Sequence, residues 1–157
     1  MSSAHDERRG GRPRWLLAGV IYFAAAFSAG FLLAPVRQVV LRPRIGEIAA
    51  LLTEIPLILI FSAIVARWLA GAMGLRAPAA RAAMGAVALA LLLTAEAALA
   101  GILRHQTLAA WAGRFTTAPG AISLAGYLAF AMIPPLLRPA PRPRRVARGR
   151  GPRPSPP

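Results

Sequence analysis

The chain has no cysteine, no lysine and only five acidic residues among its 157 residues. The absence of cysteine excludes disulfides, thiolate nucleophiles and thiolate-bound metal sites. Its two histidines, His5 and His105, lie far apart without a partner motif, and no Gly-rich phosphate loop or nucleophile elbow occurs. We therefore expect a protein that is not an enzyme and binds no metal or cofactor. An enzyme that acts on a lipid through a carboxylate and an arginine is the catalytic alternative.

Apolar residues are abundant and make up 57% of the sequence. A helix needs about 20 apolar residues to cross a hydrocarbon layer about 30 Å thick, and four stretches are long enough. The sequence thus predicts an all-α integral membrane four-helix bundle, with spans at about 15–36, 45–70, 82–103 and 118–137. Residues 1–14 and 138–157 are rich in arginine, with little apolar surface to bury, and predict disordered tails.

A secretory signal peptide is the competing interpretation of the first span, because a basic start precedes an apolar run with small residues at 28–30. The apolar run continues past these residues and is longer than the core of a typical signal peptide. Ala26 and Gly30 instead suit a close helix-helix contact between small residues.

The net charge of +14 comes entirely from arginine. This arginine bias, together with the alanine content, is typical of GC-rich bacterial coding. Most of the charge lies in the two tails beside apolar spans, where each arginine gains about 1 kcal/mol near anionic lipid. We therefore expect the bilayer and its anionic headgroups as partners of the tails, and no nucleic acid.

The distribution of arginine also predicts the orientation. With four spans, both tails and the loop between spans two and three share one side of the membrane. Fourteen arginines fall on that side and five on the other. The positive-inside rule then predicts a multi-pass protein of the bacterial inner membrane with both termini in the cytoplasm.

Several local features refine the four spans. Residues 36–44, which contain Pro43, predict a short basic connection between spans one and two, and Pro56 predicts a kink in span two. Residues 104–117 are amphipathic enough for a short interfacial helix. Pro134 and Pro135 predict a loosened last turn in span four.

Two glutamates, Glu54 and Glu96, lie inside apolar spans. An ionised carboxylate in hydrocarbon costs from about 2.5 to more than 10 kcal/mol, so such residues raise a functional question. Each lies three to four residues from the centre of its span, which places both about 5 Å toward the outer side. Two ionised carboxylates at one depth would repel each other, so we expect at least one to hold a proton.

Further charged residues surround these acids. Glu47 precedes Glu54 by seven residues and shares its helix face. Long arginines of the outer connection can reach Glu47 directly and Glu54 less easily, and Arg104 can approach Glu96 from the other side. The candidate intramembrane polar cluster therefore comprises Glu54, Glu96, Glu47, Arg37, Arg44 and Arg104.

This cluster has two interpretations. It can be structural, with the acids neutralised by protonation or by arginine, or it can be a proton or cation site that opens outward through Glu47. A conducting path would also need polar groups in the inner half, where residues 57–66 and 83–92 offer only Ser62. We therefore expect a subunit or accessory of a larger membrane assembly, with a membrane-protein partner or a second copy. The alternative is a proton-coupled transporter or ion-binding protein that uses Glu54 and Glu96.

The segment LRPRIGEIAALLTEIPLIL, with the apolar runs before and after it, resembles a family of small four-span bacterial membrane proteins of uncharacterised function. In that family a Pro-Arg-x-Gly motif precedes a span that carries Glu and Pro two residues apart. The matching residues here are Pro43, Arg44, Gly46, Glu54 and Pro56. The resemblance covers residues 15–137 and implies the four-span topology but no activity. The long Arg-Pro tail departs from the family pattern.

Overall fold

The computed structural model describes residues 13–137, which are helical and contain no strand. This confirms the predicted all-α fold. The helices are α1 (Arg14–Val36), which continues through a π-helical segment (Arg37–Leu41) into α2 (Arg42–Ile45), then α3 (Glu47–Ala72), α4 (Pro78–Arg104), α5 (Leu108–Gly113), a 3-10 turn (Arg114–Thr116) and α6 (Ala118–Leu136). Four helical stretches are long and apolar enough to cross a membrane. The predicted disordered tails lie outside the described residues, except for Pro13 and Arg14.

The first helical stretch runs without a break from Arg14 to Ile45, so the prediction of a loop at residues 36–44 is wrong. In the π-helical segment the N–H of Arg42 bonds to the carbonyl of Arg37, five residues back. Pro43 follows in the first turn of α2; it has no N–H to donate, and the change from π-helical to α-helical hydrogen bonding falls just before it. The stretch ends at Gly46, whose φ of 82° lies in the left-handed region that glycine favours.

The helix α4 begins at Pro78, four residues before the predicted start of span three. Proline suits the first turn of a helix, because the N–H that it lacks has no partner there. The earlier start places Arg81 inside α4, whereas the predicted span boundaries leave it in the loop between spans two and three. Arg81 is buried, with only 6% of its surface exposed.

The bundle is held together mainly by contacts of α1 and α6, each of which packs against both α3 and α4. We call the end that contains Gly46, α5 and the start of α6 the Gly46 end. The opposite end, with the turn between α3 and α4, is the Gly74 end. The apolar core fills the half of the bundle toward the Gly74 end, where buried residues include Tyr22, Leu69 and Met84.

The helix α6 continues through Pro134 and Pro135 to Leu136, so its last turn keeps helical form. The buried guanidinium of Arg81 lies beside this turn. Its nitrogens donate hydrogen bonds of 2.7–3.4 Å to four carbonyl oxygens, those of Leu75, Arg76, Pro134 and Pro135. Arg81 thus joins the end of α6 to the turn between α3 and α4.

Candidate functional site

A cavity of about 630 Å³ lies between the helices at the Gly46 end. Its lining runs from Glu47 to Leu59 on α3 and from Leu92 to Arg104 on α4. Each range covers about twelve residue steps, so at 1.5 Å per residue the cavity is about 18 Å deep. Its mouth is polar and faces the Gly46 end.

The inner end of the cavity is closed. The rings of Tyr22 on α1 and Phe130 on α6 stack with their centroids 4.4 Å apart. Phe130 lines the cavity, whereas Tyr22, Met84 and Ser62 have no exposed surface and do not line it. Within residues 13–137 the cavity is therefore blind, with a packed core between its floor and the Gly74 end.

Glu54 lies on the α3 wall and pairs with Arg37, the first residue of the π-helical segment. The Arg37 Nε and the Glu54 Oε2 are 3.0 Å apart, and Glu54 is only 7% exposed. From the sequence we expect Arg37 to reach Glu47 more easily than Glu54. Because α1 continues helically to Ile45, Arg37 lies nine residues before Gly46, about as deep as Glu54, which lies eight residues after it.

Glu96 lies on the α4 wall and contacts two residues from other elements. One carboxylate oxygen accepts from the guanidinium of Arg114, in the 3-10 turn, and the other from the hydroxyl of Tyr127 on α6. Arg114 also donates to the Tyr127 hydroxyl over 3.3 Å, and its guanidinium carbon lies 4.8 Å from the ring centroid of Phe115. This cluster joins α4, the 3-10 turn and α6.

Sequence reasoning missed Arg114 and Tyr127. Tyr127 could have been found by comparing depths along the helices. It lies nine residues into α6, and Glu96 lies eight residues before the end of α4 at Arg104. The two helices run in opposite directions, so these residues reach about the same level. There was less indication in the sequence that Arg114 contacts Glu96, because Arg114 follows α5 in a segment that is recognisable only as amphipathic.

The other predicted cluster residues lie near the mouth or outside the cavity. Glu47 pairs with Arg42 at 3.5 Å, and about half of each side chain is exposed. Arg104 is an exposed residue of the cavity mouth, and no carboxylate of the described chain lies within salt-bridge distance of it. Arg104 therefore does not join Glu96. Arg44 is exposed and does not line the cavity.

A stripe of small residues on α1 forms part of the wall: Ala26, Gly30 and Ala34. The sequence suggested that Ala26 and Gly30 meet another helix closely. A Cβ built on Gly30 would instead have only the Cδ1 of Ile58 within 4 Å, at 3.7 Å. At Gly30 the missing side chain therefore provides cavity space.

The fold and site together define a class, a bundle of four apolar helices of membrane-spanning length with a blind cavity that opens through a polar mouth at one end. Comparison of the chain with protein-family models, curated proteins and solved structures finds no match. The resemblance to small four-span bacterial membrane proteins stays a prediction.

Proposed function

We propose that this chain is a small multi-pass protein of the bacterial cytoplasmic membrane that acts as a non-catalytic subunit or accessory of a larger membrane assembly. The observation that carries the proposal is that both intramembrane carboxylates are paired with arginine, Glu54 with Arg37 and Glu96 with Arg114. Each pair joins different elements of the bundle. Removing one partner would leave a poorly solvated charge, which makes the pairs structural connections.

The proposed orientation has both termini and the Gly74 end in the cytoplasm. Two of the arginines toward the Gly46 end, Arg37 and Arg114, are neutralised by glutamates. The described residues that adjoin the arginine-rich tails in sequence, Pro13 and Leu137, both lie at the Gly74 end. This charge distribution favours a cytoplasmic Gly74 end. The chain has no cysteine, so single cysteines can report the topology. In intact cells a membrane-impermeant maleimide should label Ala112→Cys, and should label Ala77→Cys only after lysis; the reverse pattern would refute this orientation.

Crosslinking tests the assembly. A photoreactive residue at a lipid-facing apolar position of each long helix should yield a discrete adduct in native membranes on at least one helix. Suitable exposed positions are Leu32, Ile64, Ile102 and Leu128. Leu92, which lines the cavity, is the matched control and should give no protein adduct. A monomer in mild detergent, with no adduct from any of the four positions, would contradict the proposal.

Proton-coupled transport or ion binding is the second candidate. Its support is that Glu54, Glu96 and Glu47 all line one cavity with a polar mouth. The closed floor opposes it, because a transport cycle would have to separate the Tyr22 and Phe130 rings. In liposomes this candidate requires a pH-dependent flux that Glu54→Gln or Glu96→Gln abolishes. A flux that persists in both variants would exclude these acids as its carriers.

A further inference from the structure

We propose that the cavity is a binding site for one anionic amphiphile, a hydrocarbon chain with a carboxylate or phosphate headgroup. The proposal does not depend on the assembly role above. It rests on the shape of the cavity, the separation of apolar and charged lining along its depth, and the balance of charge at its mouth.

The shape suits an elongated ligand. The cavity volume of about 630 Å³ lies within the roughly 300–1,000 Å³ of small-molecule sites, and its depth of about 18 Å follows the helix axes. Below Glu54 and Glu96, over about the last 6–8 Å of its depth, it is lined only by apolar residues: Ala26, Phe27, Ile58, Leu59, Leu92 and Phe130. Water there would lack the polar partners that hold buried water in place. A hydrocarbon chain is the matching occupant of this part.

The charge at the upper part favours an anionic headgroup. Four arginines and three glutamates line the cavity, so one positive charge is in excess. Glu54 and Glu96 are already engaged by arginine, which leaves little attraction for a cation. Arg104 has no carboxylate partner among the described residues and stands at the mouth. An anionic headgroup could accept charge-assisted hydrogen bonds from its guanidinium.

The bilayer is the direct source of such a ligand. Phe31 on α1 and Leu103 on α4 both line the cavity, yet 63% and 68% of their surfaces are exposed. The cavity wall is therefore incomplete on faces that lie within or next to the apolar layer. An amphiphile in the outer half of the membrane can reach the cavity with its chain still in hydrocarbon.

Binding to the purified full-length protein in non-ionic detergent tests the proposal. The probes are palmitic acid and hexadecyl phosphate, which distinguish the two headgroups, with hexadecanol and hexadecyltrimethylammonium as uncharged and cationic controls. Native mass spectrometry should show one molecule per chain for at least one anionic probe. Its Kd should be about tenfold or more below that of both controls, the effect of one charge-assisted hydrogen bond. Equal binding of the uncharged or the cationic probe would overturn the headgroup assignment.

Substitutions locate the bound molecule. Gly30→Leu adds a side chain to open cavity space and should weaken binding about tenfold or more, and Ser28→Leu adds the same side chain on an exposed face of α1 and should leave binding unchanged. Ala34→Leu is a second cavity-filling variant if Gly30→Leu does not fold. Arg104→Gln should weaken the anionic probe alone, with exposed Arg67→Gln as its control. Unchanged binding in the folded cavity-filling variant would refute the site.

Discussion

The hydroxyl of Tyr22 on α1 donates a hydrogen bond to the carbonyl oxygen of Phe130 on α6, 3.1 Å away. In an unbroken helix this carbonyl would accept from the N–H of residue 134, which is proline here and has none. A neighbouring helix thus supplies the missing donor, as membrane helices with internal proline require. The same two side chains stack and close the cavity floor.

This relationship predicts a conditional effect of Tyr22→Phe. The variant keeps the stacked ring and loses the hydroxyl, so it should lower the free energy of unfolding by about 1 kcal/mol, within the range for hydrogen bonds between membrane helices. In a Pro134→Ala background the Phe130 carbonyl regains a helical donor, and the loss should shrink. Unfolding of all four proteins in mixed detergent micelles gives the coupling energy. Equal costs in both backgrounds would show that the hydroxyl does not replace the missing donor.

The second proline, Pro135, leaves the carbonyl of Ala131 without its helical donor, and Gly85 of α4 approaches that carbonyl closely. A Cβ built on Gly85 would lie 2.2 Å from the Ala131 oxygen. Gly85→Ala should therefore force α4 and α6 apart and cost about 1–3 kcal/mol of stability, as overpacking does.

Gly101→Ala is the control on the same helix, because the nearest atom to a Cβ built on Gly101 is 3.8 Å away. It should stabilise the protein by about 0.5–1 kcal/mol. Thermal unfolding in detergent measures both, and similar effects of the two variants would contradict the packing argument.

Arg81 donates to four carbonyl oxygens at the Gly74 end, so Arg81→Gln should be strongly destabilising. An unsatisfied buried acceptor costs about 1–3 kcal/mol, and glutamine can serve only part of the four. We expect a loss of about 3 kcal/mol in the free energy of unfolding. Arg81→Lys should recover only a fraction of this loss, because an ammonium lacks the planar fork of donors.

The control is the exposed Arg67→Gln, which should change stability by less than about 0.5 kcal/mol. A comparable loss in both glutamine variants would mean that the loss of a positive charge, and not of these four hydrogen bonds, lowers the stability.

The Arg37 and Glu54 pair should be tightly coupled. Arg37→Gln leaves the buried Glu54 carboxylate without its cation, and we expect a cost of about 2 kcal/mol, discounted for the partly exposed Arg37 side chain. Glu54→Gln should also destabilise the protein. The double variant, with no charge left to compensate, should be more stable than the sum of the two single effects predicts. The more exposed Arg42 and Glu47 pair is the control, with an expected coupling below about 1 kcal/mol. Additive single effects at Arg37 and Glu54 would show that the ion pair does not join α1 to α3.

The helical fold could be predicted from the sequence because uninterrupted apolar runs of about 20 residues have few other solutions in a bilayer. The run around Pro43 misled the prediction, since proline and arginine together look like a loop. The chain instead stays helical through the π-helical segment and α2, and the resulting depth of Arg37 cannot be read from spacing alone. The acids Glu54 and Glu96 were evident from their cost in hydrocarbon. Their partners were not, because pairing depends on which helices become neighbours.

The cavity was not predictable from composition. Ala26 and Gly30 are small residues at helical spacing, a pattern that indicates close helix contacts and open space equally well. The choice depends on how the neighbouring helices pack at these positions, and in the structure Ala26 and Gly30 line the cavity. Polarity confined to one half of the spans was visible in the sequence, and in the structure it corresponds to a cavity that is closed at the end away from its polar mouth.

The helices of the bundle differ in length. The stretch from Arg14 to Ile45 has 32 residues, about 48 Å, whereas α6 has 19 residues, about 28 Å. Bilayer thickness therefore acts on this protein mainly through α6, because the longest helix can tilt in a thin membrane while the shortest cannot lengthen in a thick one. A thicker bilayer would pull on the helix that carries Phe130 and Tyr127. The lipid composition around the bundle, through the bilayer thickness, thereby affects the shape of the cavity.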